Sequence, residues 1–265
     1  MTLQRRYHGG VDLGLTGKRY LVGGGSRGLG AAIAQVLTAE GARVGIMARE
    51  SEELIETAEW IGATAMPVDL SKPSGPDAVV RHAVSALGGL DGVLVNTGGP
   101  PIGTFDAVDE AAWARAIEGT LLSAIRLIRA SLAPLREGVD PAILVILSSS
   151  VREPVPGLVT SNVLRPGLDG LIKSLVTEIA PMRINGIAPG RVDTDRVRSL
   201  DRTRAAEANI SVDEVQAHVK ARIPLGRYGE PLEVGRVGAF LLSPAASYVN
   251  GVVLPVDGGM IRSLP

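Results

Sequence analysis

A length of 265 residues with 45% apolar residues suits a single α/β domain with a substantial core. The formal net charge of −1 argues against nucleic acid and against an anionic membrane as partners, and the absence of cysteine excludes disulfides, thiolate catalysis and cysteine metal sites. The three histidines are not spaced as a ligand pair, no apolar run reaches membrane-spanning length, and the first residues lack an apolar signal core. We therefore expect a cytoplasmic protein without a metal.

The predicted elements alternate between strand and helix after a mostly polar N-terminal arm at 1–15. Continuous apolar runs predict seven strands, at 19–22, 42–47, 63–68, 92–96, 142–147, 184–188 and 251–256. Periodicity predicts helices at 28–37, 51–61, 76–87, 109–132, 164–179 and 231–242. Strands without polar alternation are typical of a parallel sheet covered on both faces. The fold class is therefore α/β, one doubly wound (Rossmann) domain over 16–265 with a seven-stranded parallel sheet and its ligand at the carboxyl ends of the strands.

A glycine-rich turn joins the first predicted strand to the first helix. Gly24 lets the chain turn, Gly28 allows backbone to approach a ligand, and Gly30 lets the helix close on the strand. Backbone N–H groups and the positive end of a helix dipole then meet at one point, which favours a pyrophosphate. The spacing differs from the commonest dinucleotide fingerprint, and a glycine cluster alone can be an ordinary turn. Its position between a strand and a helix favours the dinucleotide interpretation.

Six ordered motifs make the chain resemble the short-chain dehydrogenase/reductase family over nearly its whole length. Besides the glycine turn, in which Gly23 replaces the family's Thr, they are Asp69-Leu70, 96–99, 185–190 with Thr194, 224–231, and 250–259. The resemblance implies hydride transfer between a nicotinamide dinucleotide and a small carbonyl or alcohol substrate, as in the 3-oxoacyl-acyl-carrier-protein reductases of the family. It also implies a homo-oligomer, tetramer or dimer. By the same resemblance the cofactor-binding residues are Gly24, Ser26, Arg27, Gly28, Leu29, Gly30, Arg49, Asp69, Leu70, Asn96, Thr97, Gly98, Arg165, Pro189, Gly190, Val192 and Thr194.

The choice of cofactor can be argued from charge. An NAD-binding member would carry an acid at the end of the second strand, where it accepts from the ribose 2′-OH. This chain has Ala48 followed by Arg49 there, and Arg27 lies within the glycine turn. Two guanidinium groups can bind a 2′-phosphate through charge-assisted hydrogen bonds, so we predict NADP in preference to NAD. Alternatives remain open: Arg49 could begin a solvated helix, and Asp69 could cap the helix that follows it.

The predicted catalytic positions depart from the family, which uses an Asn, a Ser and a Tyr-x-x-x-Lys pair. Aligned on 170–175, the chain has Ser161 in place of the Tyr and Arg165 in place of the Lys, while Thr120 replaces the Asn and Ser148 is retained. A serine hydroxyl is a much weaker acid than a phenol, which titrates near about 10, and arginine does not give up its proton. Pro166 follows directly, and we expect it to kink the helix or to make it begin late.

Two functions remain open on this evidence. The first is an NADP-dependent reductase in which Ser148 holds the carbonyl oxygen, Arg165 helps, and the proton comes from water or from the substrate. The second is a dinucleotide-binding module, a sensor or an oligomeric scaffold, that lacks the standard chemistry. We favour the oxidoreductase, although Ser148 could merely cap or turn the chain. The arginines of 191–204 are interpreted as a solvated charged helix rather than as an attractor of an acidic substrate or an acyl-carrier protein.

Overall fold

The computed structural model describes residues 11–263, and the seven predicted strands all form. Each is a short apolar run whose residues are mostly buried, as expected for strands covered on both faces. They are β1 (Arg19–Gly23), β2 (Arg43–Ala48), β3 (Thr64–Pro67), β4 (Gly92–Val95), β5 (Ala142–Ile146), β6 (Arg183–Pro189) and β7 (Val253–Val256).

Nine α-helices lie between these strands within the described range. They are α1 (Gly28–Ala39), α2 (Glu52–Ile61), α3 (Gly75–Leu87), α4 (Glu110–Ala116), α5 (Ser123–Arg136), α6 (Val159–Glu178), α7 (Asp195–Ala208), α8 (Val212–Ala221) and α9 (Pro231–Leu242). A π-helical segment, Ile117–Leu122, joins α4 to α5, and 3₁₀ turns occupy Ser149–Val151 and Pro244–Ala246.

The strands form one parallel sheet in the order β3-β2-β1-β4-β5-β6-β7. The chain runs outward from β1 to β3, crosses back, and continues from β4 to β7 on the other side. The direction of winding therefore reverses between β1 and β4, where the loops leaving the two strands diverge. In open α/β sheets such a reversal creates the ligand crevice at the carboxyl ends of the strands. The predicted fold class is confirmed.

The core consists of two apolar layers, one on each face of the sheet. One layer packs α3, α5 and α6 against the strands, and the other packs α1, α2 and α9 against the opposite face. On the second face, α9 lies close to α1, because a Cβ added to Gly235 would stand 2.7 Å from the Ala32 carbonyl oxygen. The two layers fix the sheet as a rigid platform whose carboxyl edge carries the site.

Two predicted helix boundaries were wrong. The helix expected at 164–179 begins five residues earlier, at Val159, and Pro166 lies inside it rather than delaying its start. The reason is tertiary, because the Thr160 hydroxyl donates to the Pro101 carbonyl (3.0 Å) and thereby holds the first turn in place. The helix expected at 109–132 continues to Arg136 and is interrupted by the π-helical segment.

The predicted N-terminal arm is only partly within the described residues, since 1–10 lie outside them. Residues 11–15 form no strand or helix, yet Leu15 is buried and Leu13 packs beside the second apolar layer. Within 11–263, none of the helices combines the length and the apolar character required to cross a bilayer.

Candidate functional site

The turn between β1 and α1 can be built only with glycine at several positions. Gly24 and Gly28 both have φ of 59°, a conformation that side chains disfavour. A Cβ on Gly24 would lie 2.6 Å from Asn96 Nδ2, and one on Gly30 would lie 2.2 Å from the Gly24 carbonyl oxygen. The turn therefore packs against the end of β4 and against its own helix without room for a methyl group.

The first turn of α1 offers its backbone N–H groups without a competing partner from a side chain. Arg27 occupies the N-cap position in extended conformation, its side chain makes no capping hydrogen bond, and the first turn contains no acidic residue. Two hydrogen bonds fix the turn to β2 and α2. The Gly25 N–H donates to the Met47 carbonyl (3.1 Å), and the Thr57 hydroxyl donates to the Ser26 carbonyl (2.8 Å). A rigid, uncapped helix N-terminus of this kind suits an anionic oxygen cluster.

The two arginines of the predicted phosphate site both have solvent-accessible side chains. Arg27 lies 3.8 Å from a Glu53 carboxylate oxygen and 3.7 Å from one of Asp195, weak contacts that an anion could replace. Arg49 is exposed directly after β2.

Asp69 lies near Arg49 and turns the chain after β3. Its carboxylate accepts from the Ser71 N–H (3.0 Å) and hydroxyl (2.7 Å), and these bonds, with smaller contributions from Lys72 and Arg49, hold the pKa of Asp69 below its usual range. Helix α3 begins only at Gly75, so the interpretation of Asp69 as a helix cap was wrong. The neighbouring Leu70 packs against the first apolar layer.

The loop after β4 is fixed by a reciprocal pair of threonines. The Thr97 hydroxyl donates to the Thr120 carbonyl (3.2 Å), and the Thr120 hydroxyl donates to the Gly98 carbonyl (3.3 Å). Thr120 is fully buried in the π-helical segment, a type of distortion frequent at functional sites. Its hydroxyl is therefore engaged in holding the loop that begins at Asn96.

The loop after β6 lies opposite the glycine turn. A Cβ on Gly190 would stand 2.6 Å from Asp257 Cβ, so Pro189 and Gly190 pass close to the turn that follows β7. Val192 pairs with Gly229 in a short parallel bridge. The Thr194 side chain caps α7, and its methyl group lies 3.7 Å from the position of a Cβ on Gly28. The loops of β1, β4 and β6 thus meet at one edge, as predicted.

Of the two serines that the alignment selected, Ser148 and Ser161, one pairs with a third serine that the alignment did not select. Ser148 lies two residues after the end of β5, and its hydroxyl accepts from the Ser150 N–H (3.2 Å), which is the turn-forming role left open above. The buried Ser150 Oγ lies 3.1 Å from Ser161 Oγ on α6. Sequence reasoning missed Ser150, because the alignment offset selected only Ser148 and gave no sign of the 3₁₀ turn that aims Ser150 at α6.

Arg165 is a buried cation. Its side chain is almost wholly enclosed, and its guanidinium donates to the Ile146 carbonyl at the end of β5. Burial, together with repulsion from Arg196, lowers the pKa of Arg165 to about 10, so the group remains charged at neutral pH. Among residues 11–263, no acidic side chain forms an ion pair with it.

No described tyrosine replaces the phenol that the family uses. Tyr20 is buried and donates to the Leu242 carbonyl (3.4 Å), Tyr228 donates to an Asp201 carboxylate (2.9 Å), and Tyr248 is fully exposed. Tyr7 lies outside the described residues. Lys173 is a surface residue, with its ammonium 2.5 Å from the Gly251 carbonyl oxygen.

The interpretation of 191–204 as one solvated helix was only partly right. Arg198 fits it, with an exposed guanidinium paired to Asp193 (2.6 Å) and Asp195 (2.9 Å). Arg191 and Asp201 do not, because they form a largely enclosed pair (3.5 Å) that also receives the Tyr228 hydroxyl. Their carboxylate and guanidinium anchor α7 to the end of β6 instead of facing water.

The sheet order and the glycine turn at its crossover define an α/β protein of the Rossmann class. The family model described as enoyl-(acyl carrier protein) reductase matches residues 24–261. The chain belongs to the short-chain dehydrogenase/reductase family.

Three relatives illustrate the similarity. The chain is 30% identical over 252 residues to a 3-oxoacyl-(acyl-carrier-protein) reductase of Vibrio cholerae, covering 94% of this chain and 99% of the relative. It resembles L-sorbose reductase of Gluconobacter frateurii, solved with NADPH and L-sorbose, at 28% identity and a TM-score of 0.90 over 96% of this chain and 100% of that one. It also resembles an NADPH-bound short-chain oxidoreductase of Pseudomonas aeruginosa PAO1, described as containing an atypical catalytic center, at 29% identity and a TM-score of 0.85 over 94% and 99%.

Proposed function

We propose that this chain is an NADP-dependent oxidoreductase that reduces a carbonyl compound, or oxidises the corresponding alcohol, with an altered catalytic set. The observation that carries the proposal is the uncapped N-terminus of α1, which follows a glycine turn, has Arg27 at its N-cap position, and lies at the end of the strand that pairs with β2, after which Arg49 is exposed. Two structural relatives were solved with NADPH bound, which supports the choice of cofactor. A 3-oxoacyl thioester is one candidate substrate, because the Vibrio relative is named for that reaction.

The cofactor fits the edge at which the three loops meet. The N–H groups of α1 would bind the pyrophosphate, the guanidinium groups of Arg27 and Arg49 would bind the 2′-phosphate, and Asp69 with Leu70 would contact the adenine. Bound there, NADPH supplies the hydride. The remaining residues proposed to hold it are Gly24, Ser26, Gly28, Leu29, Gly30, Asn96, Thr97, Gly98, Arg165, Pro189, Gly190, Val192 and Thr194.

The catalytic contribution of this chain is electrostatic rather than acid–base. Arg165 retains its charge at neutral pH, so it can stabilise the negative charge that develops on a carbonyl oxygen but cannot release a proton. Ser148 is the hydroxyl proposed to orient that oxygen. Ser161, which is hydrogen-bonded to Ser150, is too weak an acid to protonate the carbonyl oxygen by itself, so the proton comes from water or from the substrate. Thr120 positions the loop beside the nicotinamide through Gly98.

A second candidate function is a dinucleotide-binding module without turnover. It is favoured by the enclosure of Ser161 and Arg165, each only 6% exposed, where the family has a Tyr and a Lys. The Pseudomonas relative shows that an atypical catalytic centre and bound NADPH coexist in one family member, which is compatible with either candidate.

The cofactor proposal is tested by fluorescence titration with NADPH and NADH. We expect tighter binding of NADPH, and a loss of about 10-fold or more in NADPH affinity in Arg27→Gln/Arg49→Gln, because charge-assisted hydrogen bonds to a phosphate are removed. The control is Arg136→Gln, an exposed arginine in the last turn of α5. Equal affinity for the two nucleotides, or an unaffected double variant, would contradict the 2′-phosphate site.

Turnover separates the enzyme from the binding module. A panel of ketones, oxo acids and a 3-oxoacyl thioester is assayed with NADPH for the unmodified chain and for Ser161→Tyr/Arg165→Lys. Turnover by the unmodified chain supports the reductase. Turnover only by the double variant supports a module that has kept its cofactor site and lost its chemistry.

We also propose that the chain assembles as a homo-oligomer, a tetramer or a dimer, as the family resemblance implies. Light scattering coupled to gel filtration measures this directly, and a monomer at micromolar concentration would contradict it.

A further inference from the structure

Arg196 is a solvent-exposed cation beside the loop that leaves β4. It lies in the first turn of α7, and its Nη2 donates to the Pro100 carbonyl (2.5 Å). A Cβ added to Gly99 would stand 3.2 Å from both Nε and Cζ of Arg196, so the guanidinium lies flat against that glycine. Within the part of the chain that the structure describes, no carboxylate pairs with Arg196.

The position of Arg196 ties it to the proposed reaction site. The next residue of the loop, Pro101, accepts from the Thr160 hydroxyl (3.0 Å), and Thr160 immediately precedes Ser161 on α6. One short loop thus contacts Arg196 on one side and the start of α6 on the other. Repulsion from Arg196 also contributes to the lowered pKa of Arg165, as expected for two cations that lie near each other.

The arginines of α7 differ in the groups that they contact. Arg198 lies two residues after Arg196 and is neutralised by both Asp193 and Asp195. Arg204 also has no acidic partner among residues 11–263, and it donates to the Pro156 carbonyl (3.3 Å). Arg196 differs from both in lying against the loop that leaves β4, where a single carbonyl, that of Pro100, holds it and leaves other N–H groups of the fork available.

We propose that Arg196 binds the carboxylate of the substrate and makes this protein selective for small oxo acids, an inference that rests on the proposed function. The planar fork accepts a carboxylate in a bidentate geometry, and the absence of a side chain at Gly99 keeps one face of the fork flat against the loop. Reduction adds hydride from NADPH to the carbonyl carbon and a proton from water to its oxygen, and it leaves the carboxylate unchanged. Arg165 then stabilises the carbonyl oxygen of the substrate while Arg196 binds its carboxylate.

The test compares oxo acids with their methyl esters, because the pair differs in charge and retains the reactive carbonyl. We use 2-oxobutyrate, 3-oxobutyrate and 4-oxopentanoate with NADPH, so that the spacing between carbonyl and carboxylate is also probed. We expect kcat/KM for at least one acid to exceed that for its ester about 10-fold. We expect Arg196→Gln to lower kcat/KM for the acid about 10- to 100-fold and to leave kcat/KM for the ester unchanged. Arg196→Lys should retain part of the kcat/KM for the acid that Arg196→Gln loses. The control Arg198→Gln should leave kcat/KM for the acid unchanged.

A binding measurement keeps this inference distinct from the reductase proposal. Calorimetry on the NADPH-loaded protein follows the same acids and esters whether or not they are turned over. Acids that bind through Arg196 without turnover would support the anion site and reject the reductase. Esters reduced or bound as well as the acids, or acid binding unaffected by Arg196→Gln, would overturn the assignment of Arg196 and leave the reductase standing.

Discussion

At the residue scale, the most consequential feature is the charge of Arg165. Removing a guanidinium from water is costly unless a counter-charge or several acceptors replace the solvent. Among residues 11–263, the Arg165 guanidinium has one acceptor, the Ile146 carbonyl. Arg183 shows the alternative solution, since it is equally enclosed but donates to the carbonyls of Leu241 (2.8 Å) and Ser243 (2.9 Å). On the proposed function, we infer from this contrast that Arg165 serves a ligand rather than the stability of the ligand-free fold.

We therefore predict that Arg165→Met makes the ligand-free protein more stable and weakens NADPH binding. The lowered pKa of Arg165 corresponds to a free-energy penalty on the charged form at neutral pH, and replacing it by an apolar side chain of similar length should recover roughly 1 to 3 kcal/mol. Urea denaturation at pH 7 measures the change. The matched control is Arg183→Met, which should lower stability because three carbonyl contacts are lost. A less stable Arg165→Met would show that the cation is structurally satisfied.

At the element scale, the start of α9 is fixed by charge. The Glu233 carboxylate accepts from both terminal nitrogens of Arg227 (2.8 and 2.7 Å) and from the Glu230 N–H (2.8 Å) in a capping box. These bonds, that of Arg227 first, lower the pKa of Glu233 to about 2. Because α9 packs on α1, the cap also supports the helix that carries the glycine turn.

The lowered pKa predicts how the cap depends on pH. A carboxyl whose pKa falls on folding adds stability above its unfolded pKa, near the ordinary value of 4.5, and loses that contribution as the pH falls toward 2. Glu233→Gln should therefore melt below the unmodified protein at pH 6, and the gap should close progressively below pH 4.5. Melting curves at several pH values measure it, with the exposed Glu207→Gln as control. A gap that does not change with pH would assign the effect to packing instead.

At the scale of the whole molecule, the two edges of the sheet have different tasks. The carboxyl edge collects the loops of the site, whereas the opposite edge is closed by Asp91, which precedes β4. Its enclosed carboxylate accepts from the Arg19 backbone N–H and side chain and from the Val139 N–H, at 2.8 to 2.9 Å. Burial alone would raise the pKa of Asp91, but these bonds outweigh it and hold the pKa below its usual range.

We predict that Asp91→Asn lowers stability while leaving the cofactor affinity of the folded protein unchanged. Removing one partner of an enclosed ion pair should cost about 2 to 4 kcal/mol, somewhat less than for a fully buried pair because Arg19 retains contact with water. Chemical denaturation measures the loss, and NADPH titration measures the affinity. The control at the same edge is Asp140→Asn. The exposed pair of Asp140 with Lys18 should contribute less than about 1 kcal/mol to the free energy of unfolding. A parallel fall in NADPH affinity would show that the two edges are coupled.

The strands and the glycine turn could be predicted from the sequence, because each depends on residues that are close together in the chain. The seven strands follow from continuous apolar runs, and the turn at Gly24 and Gly28 follows from backbone geometry that only glycine adopts freely. The Ser51 cap of α2 and the proline that begins α9 are equally local features. The start of α6 was not, because a contact between Thr160 and Pro101, 59 residues apart, holds it.

Sequence by itself therefore determined the fold class, the family and the edge at which a ligand would bind, since periodicity, glycine placement and ordered motifs all act over short stretches. Tertiary structure alone decided which polar groups meet there: Ser150 with Ser161, Arg165 with Ile146, and Arg196 with Pro100, pairs that are 11, 19 and 96 residues apart. The arginines look alike in the sequence. Their distinct surroundings arise only when strands β4 to β6 are laid side by side, because burial and the absence of a counter-charge are properties of packing rather than of composition.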